Sequence, residues 1–236
     1  TETDEQLALR DAVAKLAESY GPAYAVPRSR NREWMHELWQ EAGELGFLGV
    51  NMPEEYGGGG AGMYELTIVF EELSAQLCGL LMMVVSPAIV GTIISRFGTA
   101  DQKAEWLPGM ATGETIVAFG ITEPDAGSNS HNIATVARRD GDDWLLTGKK
   151  TFISGVDHAD AVLIVARTDD AKTGQLKPAL FLMPADSPNL EKHLIELDLG
   201  QAENQYSLFL DDVRLPSRAL VGEQGNPFPG LKATMK

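Results

Sequence analysis

Residues 115–129 read Thr-Ile-Val-Ala-Phe-Gly-Ile-Thr-Glu-Pro-Asp-Ala-Gly-Ser-Asn, and the periodicity of the chain changes within them. Before this stretch apolar residues recur at helical spacing, as Leu9, Val13 and Leu16 do. After it, short alternating or β-branched segments are separated by turn residues, which is typical of an antiparallel sandwich or barrel. The sequence therefore predicts an α+β fold, with an all-helical domain over 1–114, an antiparallel β-barrel or sandwich domain over 115–220, and the start of a further helical domain over 221–236.

The individual elements follow from local signals. Thr3 with Gln6, and Thr99 with Gln102, have the spacing of capping-box pairs, and Asn31 is predicted to cap the second helix. The predicted strands are residues 115–121, 133–138, 144–147, 151–153, 161–167, 179–183 and 206–210. Turns are predicted at Gly141-Asp142, Thr147-Gly148, Thr173-Gly174 and Pro188-Asn189.

The composition limits the kinds of partner and compartment. Among 236 residues, 34 are acidic and 19 basic, giving a formal charge of −15. A chain without a basic face has little to neutralise phosphates, so nucleic acid is not an expected partner. The single cysteine, Cys78, cannot form an internal disulfide, and the first twenty residues lack the apolar core of a signal peptide. A reducing compartment fits these features best, and the bacterial cytoplasm and the mitochondrial matrix are the two such locations that we expect once the family resemblance described below is included.

One uncharged stretch, Leu73–Ser95, is long enough to cross a bilayer. Gln76, Ser86 and Pro87 interrupt it, and neither flank carries an aromatic belt or a cluster of basic residues. We therefore expect a buried helix or a broken helix pair and no membrane span.

Most common chemical signatures are missing from the sequence. It contains no G-x-G-x-x-G after a strand, no Walker loop, no G-x-S-x-G and no H-E-x-x-H. The four histidines are scattered without ligand spacing, so no metal site is expected.

Two segments suggest more than ordinary turns and strands. In residues 122–129, Gly127 lets the backbone approach a ligand closely, and the Thr122 and Ser128 hydroxyls with consecutive amides offer several donors. In residues 148–154, Phe152 and Ser154 are two apart on a predicted strand and so share a side, where the ring can cover a flat ligand and the hydroxyl can donate to it. Alone, each segment reads as a turn or a strand; their order along the chain points to a shared site. We expect Thr122, Ser128, Phe152 and Ser154 to converge on one concave surface.

At these residues the chain resembles the acyl-CoA dehydrogenases, flavoproteins with a helical N-terminal domain, a β-barrel middle domain and a helical C-terminal domain. The resemblance rests on Ile-Thr-Glu-Pro-Asp-Ala-Gly-Ser at 121–128, on 148–154, and on Asp-Asp-Val-Arg-Leu-Pro at 211–216, with support from 53–58 and 98–103. It covers essentially the whole chain. It implies that the β region is a flavin-binding middle domain and that 221–236 begin a truncated C-terminal domain.

The resemblance also implies the cofactor and its contacts. FAD would lie against the segments 119–128 and 152–154, with Thr122 at the pyrimidine edge of the flavin, Ser154 near N5 and Phe152 packed on the ring. Ser128 would lie near the pyrophosphate and the bound thioester, and Leu81–Ile94 would line the acyl pocket. The implied cofactor-binding residues are Phe119, Ile121, Thr122, Gly127, Ser128, Phe152, Ile153 and Ser154, and Ser128 is also the implied substrate contact.

The implied reaction is α,β-dehydrogenation of an acyl-CoA thioester, with hydride transfer to flavin N5. An electron-transfer flavoprotein or similar acceptor and a homodimeric or homotetrameric assembly are the implied partners. Two alternatives stay open: a non-catalytic or partner-completed subunit, and a flavin oxidase or monooxygenase of the same fold.

The chain departs from the family pattern in two ways. Gly200-Gln201-Ala202 lacks the Arg of the family's Gly-x-Arg motif, which puts the usual support of the flavin-facing loop in doubt. The chain also ends at Lys236, where the resemblance would have the C-terminal domain start; the family's catalytic Glu belongs to that domain, so no catalytic residue is assigned. Glu123, within the flavin-binding turn, is interpreted as a structural hydrogen-bonding group rather than a base. We therefore expect the 236-residue chain alone to bind FAD poorly and to lack dehydrogenase activity.

Overall fold

The computed structural model describes residues 1–169, 175–198 and 200–222. The turn predicted at Thr173-Gly174, and nearly all of the helical start predicted over 221–236, lie outside the described residues. The chain forms two compact units. Among the described residues, those within 1–95, 103–116 and 198–204 form one unit, and those within 96–102, 117–197 and 205–222 form the other.

The first unit is helical. Its elements are α1 Asp4–Asn31, α2 His36–Glu44, α3 Met63–Ala75, α4 Leu81–Met83, a π-helical segment Val84–Gly91, α5 Thr92–Phe97 and α6 Ala100–Thr112, the last two crossing into residues of the second unit. The capping box of Thr3 and Gln6 is present at the start of α1, as predicted. The expectation for Asn31 was wrong. Asn31 is the last residue of α1, and its side chain donates to Glu33.

The uncharged stretch forms the predicted broken helix pair. Helix α3 ends at Ala75, the backbone of Leu77 takes a φ of 60°, and the helix resumes at Leu81. Leu73, Met82 and Met83 are fully buried in the first unit. No helix among the described residues is long and apolar enough to cross a membrane.

The second unit is built on one seven-stranded sheet. The strands are β1 Val117–Gly120, β2 Val136–Asp140, β3 Asp143–Ser154, β4 Ala161–Asp169, β5 Leu176–Pro184, β6 Leu190–Ile195 and β7 Gln205–Leu215. They lie in the order β1-β4-β2-β3-β7-β6, and β5 pairs with β4. Residues 161–166 of β4 are completely buried and form the centre of its core. The predicted fold class, helical first and β second, is confirmed.

The sheet is mixed rather than purely antiparallel. Strand β1 pairs with β4 in parallel, and β2 meets β4 in parallel through Val136 and Arg167. Strands β1 and β2 therefore run in the same direction, so the connection over 121–135 must carry the chain back across the sheet. The turn residues at 122–129 belong to this crossover connection.

Two local differences from the predicted strands and turns have physical reasons. Thr147-Gly148 is not a turn, because both residues lie inside β3, which joins the predicted segments 144–147 and 151–153. Strand β6 was missed because Leu-Glu-Lys-His-Leu-Ile forms an exposed edge without alternation.

The predicted capping box of Thr99 and Gln102 is present at the start of α6. The Gln102 amide also donates to the carbonyl groups of Arg218 and Leu220 at 2.8 and 2.7 Å.

Candidate functional site

The crossover connection begins with a tight turn directly after β1. The backbone N–H groups of Glu123 and Ala126 donate to each other's carbonyl groups, both at 3.1 Å. Pro124 and Asp125, at the tip of this turn, are exposed. The turn therefore closes on itself and presents its tip to solvent.

The carboxylate of Glu123 ties this turn to the far end of the connection. Its Oε2 accepts from the Ala134 N–H at 2.6 Å, and its Oε1 accepts from the Thr135 N–H and hydroxyl at 3.0 and 2.5 Å. The ammonium of Lys150 is a fourth donor, at 2.7 Å from Oε1. Four donors on one carboxyl group fit its ionised form, which only accepts hydrogen bonds. Glu123 thus has the structural role expected from the sequence.

Lys150 joins the turn to strand β3. Its side chain is fully buried, and its Nζ also donates to the carbonyl of Ile121 at 3.2 Å. The next residue, Thr151, donates its N–H to the carbonyl of Thr122 at 2.9 Å. The turn residues 121–123 therefore lie directly beside residues 150–151 of β3.

Burial and hydrogen bonding shift the pKa values of both Glu123 and Lys150. Burial acts to raise the pKa of the Glu123 carboxyl, but the hydrogen bonds from Ala134, Lys150 and Thr135 outweigh it and hold that pKa below its ordinary value. Burial lowers the pKa of the Lys150 ammonium, and the bond to Glu123 offsets only part of this effect. The hydrogen bond between them therefore favours the charged form of each partner.

Phe152 lies in an irregular part of β3. Its φ is 56°, and the pairing of β3 with β7 shifts register between Lys150 and Ile153. A left-handed backbone costs a non-glycine residue on the order of 1–3 kcal/mol and is concentrated at functional sites. The bulge turns the ring outward, leaving Phe152 56% exposed. An exposed aromatic ring thus stands two residues after the buried lysine.

Ser154 is held by the neighbouring strand. Its hydroxyl accepts from the amide of Gln205 at 2.7 Å and lies 3.1 Å from the amide oxygen. Ile153 between them is buried, whereas Phe152 and Ser154 are not. Because the bulge interrupts the regular alternation at Phe152, the placement of Phe152 and Ser154 on one side of the strand stays a prediction.

The remaining predicted site residues differ in their surroundings. Phe119 is half-buried on β1, and Gly127 and Ser128 are exposed. A Cβ atom added at Gly127 would meet nothing within 4 Å. Among the described residues, the hydroxyls of Thr122 and Ser128 have no hydrogen-bond partner. Because the Ile153 side chain is in the core, only its backbone could contact a ligand.

The hydrogen bonds bring Ile121, Thr122, Lys150 and Thr151 together and place Phe152 next to them. They do not include Ser128, so the convergence of all four predicted side chains on one concave surface stays a prediction. Sequence reasoning missed Lys150. Leu146, Gly148 and Lys150 are two apart on one strand, and a lysine on that inward series is a signal for a buried acidic partner.

Comparison with known proteins identifies the family. Residues 3–114 match the family model described as acyl-CoA dehydrogenase, N-terminal domain, and residues 118–213 match the acyl-CoA dehydrogenase middle domain. The chain belongs to the acyl-CoA dehydrogenase family. The resemblance seen in the sequence is therefore confirmed.

Its relatives in this family are substantially longer. Acyl-CoA dehydrogenase FadE12 of Mycobacterium tuberculosis is 60% identical over 223 residues, which cover 94% of this chain and 58% of the relative. Long-chain specific acyl-CoA dehydrogenase of Sus scrofa mitochondria is 34% identical, and the match covers 93% of this chain and 51% of the relative. The chain thus spans between half and three fifths of these relatives.

Solved acyl-CoA dehydrogenase structures have the same fold. Glutaryl-coenzyme A dehydrogenase in its glutaryl-CoA complex has a TM-score of 0.87 at 30% identity, covering 96% of this chain and 58% of that one. Glutaryl-CoA dehydrogenase of Mycobacterium smegmatis, in complex with FADH2, has a TM-score of 0.85 at 32% identity, covering 94% and 56%.

The segment that departs from the family's Gly-x-Arg pattern, residues 200–203, contacts the start of helix α4 in the first unit. Ala202 and Glu203 are buried, and Glu203 accepts a hydrogen bond from the N–H of Leu81 at 2.9 Å. An open cavity of about 400 Å³ lies beside this contact. Of the stretch Leu81–Ile94, Leu81 alone among the described residues lines it.

Proposed function

We propose that the protein containing this chain is an FAD-dependent acyl-CoA dehydrogenase. The observation that carries the proposal is the meeting of the 121–123 turn with the 150–152 bulge in a chain of this family. In this meeting Thr122, whose hydroxyl has no partner among the described residues, is hydrogen-bonded through its carbonyl to Thr151, the residue directly before the exposed Phe152.

The described residues fit a flavin on three counts. Phe152 presents an exposed ring from a strained backbone position, Thr122 has a hydroxyl free to bond a ring edge, and Gly127 leaves open space beside its backbone. In the proposed complex Phe152 covers the ring, Thr122 bonds its polar edge, and Ser154 is oriented by Gln205. Ser128, exposed after the turn, is the proposed contact to the pyrophosphate and the thioester. A bound flavin supplies the hydride acceptor for the reaction.

The base that removes the α proton is not assigned to any described residue. Glu123 is a poor candidate because four donors already occupy its carboxylate. A base must lie within hydrogen-bond reach of the proton it takes, and a buried carboxylate bonded to Lys150 cannot turn towards a substrate without leaving those donors unpaired.

The partners are proposed on the same basis. Acyl-CoA is the proposed substrate, because the named relatives are acyl-CoA dehydrogenases. An electron-transferring flavoprotein or similar acceptor is the proposed oxidant of the reduced protein. A solved structure from the electron transferring flavoprotein of Acidaminococcus fermentans resembles this chain with a TM-score of 0.87 at 30% identity, covering 97% of this chain and 60% of that one. A homo-oligomeric assembly and a bacterial cytoplasmic or mitochondrial matrix location stay predictions.

The catalytic activity of the protein encoded by the complete natural reading frame tests this proposal. The purified protein, supplied with FAD and straight-chain or branched acyl-CoA thioesters, is expected to reduce an artificial electron acceptor in a thioester-dependent way. The 236-residue chain alone is the comparison and is expected to show no turnover. Failure of every thioester to support reduction would refute the proposed activity. Stoichiometric hydrogen peroxide formation in air would instead indicate a flavin oxidase.

A further inference from the structure

We propose that the buried ion pair of Glu123 and Lys150 is a positioning device, which fixes the turn at Thr122 and the bulge at Phe152 in the arrangement that receives the flavin. The proposal rests on the proposed function for its ligand. In this proposal the buried side chains of Glu123 and Lys150 do not touch the flavin or the substrate, and they act through the neighbouring residues that do.

The first step of the argument is the fixation of Thr122. The carbonyl of Ile121 and the carbonyl of Thr122 belong to the two peptide groups that bracket this residue. The first accepts from the Lys150 ammonium at 3.2 Å and the second from the Thr151 N–H at 2.9 Å. Because both flanking peptide planes are held by β3, the direction of the Thr122 side chain follows from the placement of residues 150–151.

The second step is the fixation of the bulge. The register shift in β3 falls between Lys150 and Ile153, so the Phe152 backbone is not held by regular ladder pairing with β7. The strained φ of Phe152 persists only where its surroundings determine it. On its N-terminal side those surroundings are the buried Lys150 side chain and the Thr151 N–H bound to the turn.

The third step concerns the use of charge. A buried ion pair often contributes no more to stability than apolar side chains of the same volume, so stability alone does not account for it. Here the carboxylate gathers donors from Ala134, Thr135 and Lys150, and the ammonium reaches both Glu123 and Ile121. These directional contacts fix three chain segments in one geometry, which apolar side chains could not do.

Two variants and two controls separate positioning from general stability. Lys150→Met removes the donor to Ile121, and the milder Glu123→Gln keeps the side-chain size and an acceptor oxygen. Lys149→Met is the matched control, because this exposed neighbour points its ammonium at the ring of Phe209, 4.6 Å from the centroid. Leu182→Ala destabilises the buried strand β5, which pairs with β4 and not with β3.

The first measurement is amide hydrogen exchange of the complete, FAD-free protein. We expect faster exchange confined to residues 121–128 and 150–154 in Lys150→Met and Glu123→Gln. Lys149→Met should match wild type, and Leu182→Ala should exchange faster around β4 and β5. Unchanged exchange at 121–128 in both pair variants, or an increase spread evenly over the chain, would overturn the proposal.

The second measurement is FAD binding, followed by the dissociation constant and by the visible absorbance spectrum of the bound flavin. Both pair variants should bind FAD about 10-fold more weakly, the equivalent of one misplaced hydrogen bond, with a shifted flavin spectrum. An unchanged spectrum and affinity would overturn the proposal even if stability fell. If wild type binds no FAD, the proposed function fails. The exchange measurement then still decides the positioning role: faster exchange confined to residues 121–128 and 150–154 supports it, and a uniform increase refutes it.

Discussion

Lys150→Met is expected to lower the free energy of unfolding by about 3–5 kcal/mol, because it leaves the carboxylate of Glu123 buried without its cation. Urea denaturation at neutral pH, followed by circular dichroism, measures the change. Lys149→Met is the control, and as an exposed position it should cost less than about 1 kcal/mol. Equal changes in the free energy of unfolding for the two substitutions would contradict the prediction that loss of the buried cation is strongly destabilising.

The same variant has an expected pH dependence. In wild type the pKa of Glu123 lies below the value of about 4.3 that it has in an unfolded chain. Its contribution to stability is therefore fully present above that value and is lost as the pH falls through the lower folded-state pKa. Without Lys150 the pKa of Glu123 rises, and protonation then relieves the penalty of the buried charge. The stability difference between Lys150→Met and wild type should be smaller at about pH 5 than at about pH 7. A difference independent of pH would contradict this explanation.

Gly148→Ala is expected to lower the free energy of unfolding by about 1–3 kcal/mol through overpacking. A Cβ atom at this position would lie 2.4 Å from the Thr135 hydroxyl and 2.7 Å from the Cα of Thr135. Because backbone atoms are involved, no side-chain rotation relieves the contact. Displacing Thr135 would also weaken its two hydrogen bonds to Glu123.

Gly127→Ala is the control for this prediction. An added Cβ there meets nothing within 4 Å, and the backbone is not left-handed, so the unfolding free energy should change by less than about 0.5 kcal/mol. Chemical denaturation of both variants tests the contrast. If Gly148→Ala were as well tolerated as Gly127→Ala, the close approach of β3 to Thr135 would not exist in solution.

Much of the fold could be predicted because its signals are local. The change of period near residue 115, the two capping boxes and the interruptions of the 73–95 stretch all depend on residues a few positions apart. The parallel pairing of β1 with β4 could not be predicted in this way. The turn residues at 122–129 suggest a reversal, whereas long-range pairing makes them part of a crossover connection.

The site was predicted in part for a related reason. The residue types at 122–128 and 152–154 indicated the ligand-facing segments, but the link between them was not visible. Glu123 and Lys150 are far apart in sequence, and although the inward series of β3 signals a buried lysine, nothing in the sequence identifies Glu123 as its partner. The left-handed backbone of Phe152 also has no sequence signal, since the pattern around it predicts a regular strand and a phenylalanine disfavours that conformation.

Binding of FAD by wild type and Gly127→Leu tests most directly whether residues 122–128 and 152–154 face the flavin. Both proteins are made from the complete reading frame, and FAD binding is followed by quenching of flavin fluorescence alongside the free energy of unfolding. We expect wild type to bind one FAD per chain. In Gly127→Leu the side chain enters the open space at this turn, so FAD should bind at least about 10-fold more weakly, with the unfolding free energy unchanged. Equal affinity of the two proteins for FAD would contradict the assignment of this turn to the flavin.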